Sequence, residues 1–187
     1  AYTDAKGSVG SGPTQYIRST NNGQTWSQPV TIGETSAASS RQARVQLTAA
    51  DGKVFACWQR ERSNADAPFP VDRLGYNTSA DKGVTWGTAR VLPEDTGIDR
   101  NHQHVWMAPG GGVHILWRHG DSGDNVNDPA AYKYSPDYGA TWRPRVIAID
   151  TTNTGANHPW AIVANATAVH VLTGPQGTMQ YARRTGF

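Results

Sequence analysis

A chain of 187 residues can bury an ordinary single-domain core. Only 17% of its residues are charged and 20 are glycine, the profile of a turn-rich all-β protein rather than a helical one. Seventeen basic residues against fifteen acidic leave +2 with no run of like charge, and no apolar run approaches the roughly 18 residues of a membrane span, so neither nucleic acid nor a bilayer is an expected partner. Cys57 is the one cysteine, which excludes an intrachain disulfide and a cysteine-based zinc site; between Phe55 and Trp58 it reads as a small buried hydrophobe. The opening Ala1-Tyr2-Thr3-Asp4 lacks the features of a signal peptide, so a processed chain or a piece of a longer one is expected.

In chain order, Ala1-Tyr2-Thr3 is part of a second strand, Tyr16 lies on a third, and Val30-Thr31-Ile32 is a short outer fourth. Arg44-Val45-Gln46-Leu47-Thr48 then alternates with period 2 and begins a new unit as its innermost strand. Ala50-Asp51-Gly52 turns the chain into a second strand, Val54 to Trp58; the third carries Tyr76, and Ala89 to Leu92 is the fourth. The cycle repeats through His104 to Ala108, the turn Pro109-Gly110-Gly111-Gly112, Val113 to Trp117, Tyr132 and Val146 to Ile149. It begins again with Trp160 to Ala164, Asn165-Ala166-Thr167, Ala168 to Leu172 and Tyr181, and reaches Thr185-Gly186-Phe187 where another corner is due.

One octet sits between the third and fourth strands of each cycle that has both, the first three. Ser135-Pro136-Asp137-Tyr138-Gly139-Ala140-Thr141-Trp142 and Ser79-Ala80-Asp81-Lys82-Gly83-Val84-Thr85-Trp86 match throughout; Ser19-Thr20-Asn21-Asn22-Gly23-Gln24-Thr25-Trp26 has Asn for Asp. Each is a tight hairpin: Asp or Asn bonds the backbone of its own turn, Gly takes φ > 0, and Trp packs back on the turn. The corner tryptophans stand 60 and then 56 residues apart, a period that marks a propeller or similar array. The pattern S-x-D-x-G-x-T-W resembles the Asp-box, or bacterial neuraminidase repeat, of the sialidase-like β-propellers. That resemblance implies an all-β propeller of four-stranded antiparallel blades with the boxes away from the ligand-binding face.

The expected blades are A (1–32, incomplete), B (41–92), C (101–149) and D (157–187, incomplete), about three and a half in one continuous propeller segment. A propeller must close to remove its edges, and the family's rings are about six-bladed. The chain is therefore expected to be completed by a homo-oligomeric partner or by the remainder of a longer propeller chain, and a self-contained four-bladed ring is disfavoured.

Antiparallel connectivity sorts the loops. With the boxes on one face, the first-to-second turns share it, and the fourth-to-first and second-to-third loops lie on the other. Those loops are long and polar: Gly33 to Ser40, Arg60 to Asp72, Pro93 to Arg100, His119 to Asp128 and Thr151 to Ala156. At 15 and 16 residues past the box tryptophans lie Arg41-Gln42, Asn101-His102 and Asn157-His158, placed to ring a channel mouth. They suit hydrogen bonding to a hydroxylated ligand, or equally the joining of neighbouring blades. Arg60, Arg118, His119 and Asp121, with Arg62, follow the second strands toward the same mouth, where solvated surface is their plainer role. His102 and His104 share one side of a strand, but without a third ligand no metal is expected, and no cofactor motif is present. Trp58, Trp106, Trp117 and Trp160 read as core more readily than as sugar-stacking platforms.

The resemblance implies a sialylated or neutral glycan as partner and a secreted or cell-surface location. Sialidases hold the substrate carboxylate with three arginines, attack with a tyrosine activated by a glutamate and use an aspartate as acid/base. Their Arg-Ile-Pro motif is absent here, so no catalytic residue is carried over. The expected function is glycan binding at the loop-lined mouth. An exo-sialidase or related glycoside hydrolase is the first alternative, and a propeller serving only as a structural or protein-interaction platform the second.

Overall fold

The computed structural model describes residues 2–3, 13–34, 40–62, 71–93, 99–120, 129–149, 158–174 and 179–186. Among them fourteen strands form four antiparallel sheets, and there is no helix. Sheet A contains β1 (Tyr2–Thr3), β2 (Thr14–Tyr16) and β3 (Val30–Thr31); sheet B contains β4 (Ser40–Ala50), β5 (Lys53–Arg62), β6 (Val71–Ser79) and β7 (Arg90–Val91). Sheet C contains β8 (Asp99–Met107), β9 (Val113–Gly120), β10 (Ala130–Ser135) and β11 (Val146–Ile149); sheet D contains β12 (His158–Ala164), β13 (Ala168–Gly174) and β14 (Gln180–Thr185). Each sheet is a meander, and β8 adjoins both β4 and β12.

Alternation along the second strands builds the core, because successive side chains face opposite neighbouring sheets. Phe55 and Cys57, with Tyr76 from β6, face sheet C and meet Val113, Ile115 and Trp117. Ala56 and Trp58 face sheet A and meet Tyr16 and Ile32. Leu116 and Tyr132 repeat the pattern against Val169 and Val171 of sheet D. Phe55 and Leu116 are fully buried, each stabilising the fold by about 1.5–3 kcal/mol. Cys57 is a free, buried thiol within this packing.

The three octets form one turn. Its two central residues both have positive φ: Asn22 and Gly23 (54° and 83°), Lys82 and Gly83 (60° and 81°), Tyr138 and Gly139 (59° and 89°). The third residue's carbonyl accepts from the sixth N–H at 3.2, 3.3 and 3.1 Å in the three copies. This is a type I′ turn, whose twist matches the flanking strands, so the fourth position carries a left-handed residue as well as the glycine. Asp81 Oδ1 accepts from the Ser79 hydroxyl (2.8 Å) and the Thr85 N–H (2.9 Å), and Oδ2 accepts from the Thr85 hydroxyl at 2.6 Å. The Thr85 bond leads in holding the Asp81 carboxyl at about 2, far below the usual range. Burial pushes Asp137 up, but the bonds from Thr141 and Ser135 outweigh it and the net shift is downward. Asn21 reproduces the arrangement with its amide, Oδ1 accepting from Ser19 and Thr25 N–H while Nδ2 donates to the Thr25 hydroxyl at 2.8 Å.

Corners and first-to-second turns share one face, as antiparallel connectivity requires. Lys82 N–H donates to Gly52 O (2.8 Å), Tyr138 N–H to Gly111 O (2.9 Å), and Gly110 N–H to Asp51 Oδ2 (2.7 Å). Lys53 Nζ lies 3.7 Å from the Tyr138 ring centroid, joining sheet B to the corner of sheet C.

Two features depart from the sequence expectation. The second strands run further than expected, so Arg60, Arg118 and His119 lie inside β5 and β9 rather than on loops after them; Arg60 pairs with both Gln42 and Arg73, and Arg118 with both Asn101 and Ala130. Each innermost strand also carries a one-residue bulge, between Ala43 and Gln46, Asn101 and His104, and Pro159 and Ala161. Arg44 and His102 take φ of 53° and 55° there.

Candidate functional site

The innermost strands enter the sheets at the end opposite the corners. Residues 35–39, 63–70, 94–98, 121–128 and 151–157, which make up most of the expected ligand loops and include Asn157 and Asp121, lie outside the described residues. Arg41 and Asn101 lie within β4 and β8, and His158 opens β12; only their backbone is described.

Counted from the corner tryptophans, the three polar pairs are equivalent. Counted by pairing, they are not. Asn101 is the last residue paired before the bulge of β8, whereas Gln42 and His158 each stand one place earlier than that position in β4 and β12. The last residue paired before the bulge lies 17 residues past the corner tryptophan in β4 and β12 and 15 in β8, so His102, the count equivalent of Gln42 and His158, falls beyond that point in the bulge itself.

Gln42 is 1% exposed and its amide joins two sheets: Oε1 accepts from Thr14 N–H at 2.9 Å, and Nε2 donates to Glu34 O at 2.8 Å. The fit is close, since a Cβ on Gly33 would overlap the Gln42 amide. Gln42 thus acts as a connector between sheets A and B. Arg60 pairs with Glu34 across the same junction at 2.5 Å. Arg118 and His119 are each 4% exposed, and Arg145 Nη1 donates to His119 Nε2 at 2.6 Å. His102 is half-buried in the left-handed residue of its bulge, which interrupts the alternation expected to align it with His104. Among the described residues no three His, Cys, Asp or Glu side chains cluster in a way that could hold a metal ion.

Several connectors were not anticipated from the sequence. Gln103, 1% exposed, donates from Nε2 to the Arg44 carbonyl freed by the neighbouring bulge. Asn77 Nδ2 reaches Ile32 O (2.8 Å), and Lys133 Nζ reaches Pro93 O (2.7 Å), each binding its sheet to the one before. A signal for this pair was present, since Asn77 and Lys133 each directly follow a repeated tyrosine. Trp58 and Trp117 are core, whereas Trp106 is 37% exposed and donates from Nε1 to Ala164 O at 2.9 Å.

Two adjoining cavities, about 210 and 300 Å³, lie away from this end, in the groove between sheets C and D on the corner side. They share Tyr132, Val146 and Arg184.

Comparison with protein-family models and with curated proteins gives no match. Solved structures do match. The chain is similar to a Penicillium chrysogenum α-L-arabinanase complexed with arabinobiose, with TM-score 0.56 and 20% identity over 89% of this chain and 50% of that one. It is also similar to the catalytic domain of the Coprinopsis cinerea GH62 α-L-arabinofuranosidase, with TM-score 0.52 and 18% identity over 82% and 50%. The class that fold and sheets define is the β-propeller seen in carbohydrate-active glycoside hydrolases. The chain spans about half the length of each of these structures. No helix among the described residues is long and apolar enough to cross a membrane.

Proposed function

We propose that this protein is an Asp-box, sialidase-like propeller that recognises carbohydrate at the end opposite its corners, at the mouth formed by the fourth-to-first and second-to-third loops. The observation that carries this reading is the placement of Arg118 and His119, nearly fully buried in the last three residues of β9, the strand whose end opposite the corners leads into residues 121–128. The five N–H donors of the Arg118 guanidinium suit a site that meets polar or anionic groups. Asn101, His102, Asn157, His158, Arg41, Arg60 and Asp121 contribute from the same rim, while Gln42 shapes it through sheet A. The protein is read as secreted or exposed at the cell surface, where extended glycans are met.

The test is a glycan array carrying sialylated, neutral and arabinose-containing oligosaccharides, followed by titration of the best ligand. Arg118→Ala should weaken binding by about 2–5 kcal/mol, the range for removing one partner of a buried charged contact. Silence across all three glycan classes would leave the scaffold reading.

A hydrolytic reading is favoured by one observation, that the matched folds include an α-L-arabinofuranosidase and an α-L-arabinanase. Turnover of a fluorogenic α-L-arabinofuranoside or sialoside would establish it.

A further inference from the structure

One position of the second strand is filled by opposite chemistry in two neighbouring sheets. Arg60 and His119 each stand two residues past a buried tryptophan, Trp58 and Trp117, and so occupy the same place in β5 and β9. Arg60 takes a carboxylate as its partner, that of Glu34 at 2.5 Å. His119, 4% exposed, takes a cation instead, with Arg145 Nη1 lying 2.6 Å from its Nε2 and 3.3 Å from its Nδ1. Arg145 is exposed and directly precedes β11, three residues past its corner tryptophan. At the same distance past the other two corners stand Pro29 in sheet A and Ala89 in sheet B, so the arginine is peculiar to the sheet that carries the histidine.

A guanidinium donates through its N–H groups, stays charged and accepts nothing. The ring nitrogen nearer to it therefore has to offer a lone pair, and an imidazole with Nε2 unprotonated is neutral and carries its hydrogen on Nδ1. An imidazolium would turn an N–H and a like charge toward Arg145. We propose that Arg145 is a positioning residue for the mouth: from the start of the outer strand it holds His119 as the neutral Nδ1–H form and fixes the ring at the end of β9 that leads into residues 121–128. The inference rests on the glycan-binding reading of that end and narrows it. His119 contributes there as an uncharged ring, the positive charge beside it belongs to the arginine, and an Nε2 lone pair already engaged does not serve as a general base for hydrolysis.

Labelling the histidines of the full chain with heavy nitrogen tests this without any ligand, because long-range nitrogen–proton correlation spectra at neutral pH read Nδ1 and Nε2 separately; His119→Gln assigns the signals. The parent should show His119 protonated at Nδ1 and bare at Nε2. Arg145→Leu should turn that pattern into a mixture of the two neutral forms, and Arg145→Lys, which also only donates, should restore it. In titrations with the best glycan from the array, Arg145→Leu should weaken binding about tenfold, as loss of a hydrogen bond to a charged group does, and Arg145→Lys should recover most of it. The proposal is overturned if His119 of the parent is protonated at Nε2 or at both nitrogens, if its signals ignore Arg145→Leu, or if that variant shifts the signals and binds glycan as tightly as the parent. A parent that binds no glycan overturns the mouth reading and with it the recognition role of Arg145, whereas the nitrogen spectra decide separately whether the arginine governs the ring.

Discussion

Tyr76 and Tyr132 occupy the same place in neighbouring sheets and end in different surroundings. Tyr76 lies among Phe55, Trp142 and the Gly139 carbonyl, closed over by the next corner. Tyr132 is as deeply buried, yet its hydroxyl turns to His114 in its own sheet and an open groove lies beside it. Strand register places both rings; the neighbour decides what they bond. Sheet D extends the series, because Tyr181 repeats the bond to a histidine, with Oη 2.7 Å from His170 Nδ1, but is 61% exposed.

The sharpest way to break this comparison is truncation. Tyr76→Ala should cost about 3–5 kcal/mol in urea unfolding, as for other buried aromatics, and Tyr132→Ala should cost less in this 187-residue chain, because among the described residues no corner of another sheet seats on it. Equal losses at the two sites would show that the corner contributes little. Next in size is a pH effect at His114, which burial lowers to about 4 from an ordinary value near 6.5. Between those values the unfolded chain takes up the proton and the folded one does not. Stability should therefore fall as pH drops from about 6.5 to 4, by at most about 3 kcal/mol. His114→Phe, which copies Phe55 of sheet B, should flatten that slope in urea curves collected across the window. Tyr76→Phe removes only the hydroxyl and should cost about 1 kcal/mol. Among the corners, the Asp81 carboxyl should titrate near 2 by NMR, and Asp81→Asn should fold with its corner intact because Asn21 already serves in sheet A. Smallest of all, Tyr181→Ala should stay within about 0.5 kcal/mol of the parent, as surface substitutions do.

Much of this architecture was legible in the sequence, for identifiable reasons. The corners announce themselves because a type I′ turn demands residues that tolerate positive φ, and Asp, Asn and Gly leave a fixed spacing around it. Strand order followed from period-2 alternation, and Tyr16, Tyr76 and Tyr132 kept their distance to the box serine because no insertion lies between them. The site was less legible. The stretch from corner tryptophan to bulge is two residues shorter before β8 than before β4, so Gln42 and His102 look equivalent by count and stand two places apart by pairing. The buried role of Gln103 depends on a carbonyl released by another strand's bulge, 59 residues away in sequence. No local pattern encodes such a partner.

The corner contacts also give the molecule a direction. The aromatic clasps, Trp86 on Tyr16 and Trp142 on Tyr76, are each made by one sheet on the sheet before it, so damage to a corner glycine or tryptophan is read out upstream of where it is inflicted. A side chain forced onto Gly139, where a Cβ would meet Phe55 at 3.1 Å, would loosen the aromatic cluster that sheet B contributes to the junction between sheets B and C. Amide exchange after such a lesion should therefore quicken toward the N-terminus, like a zip released one tooth behind the slider, and the array is better regarded as a polar chain of dependencies than as a stack of equal plates.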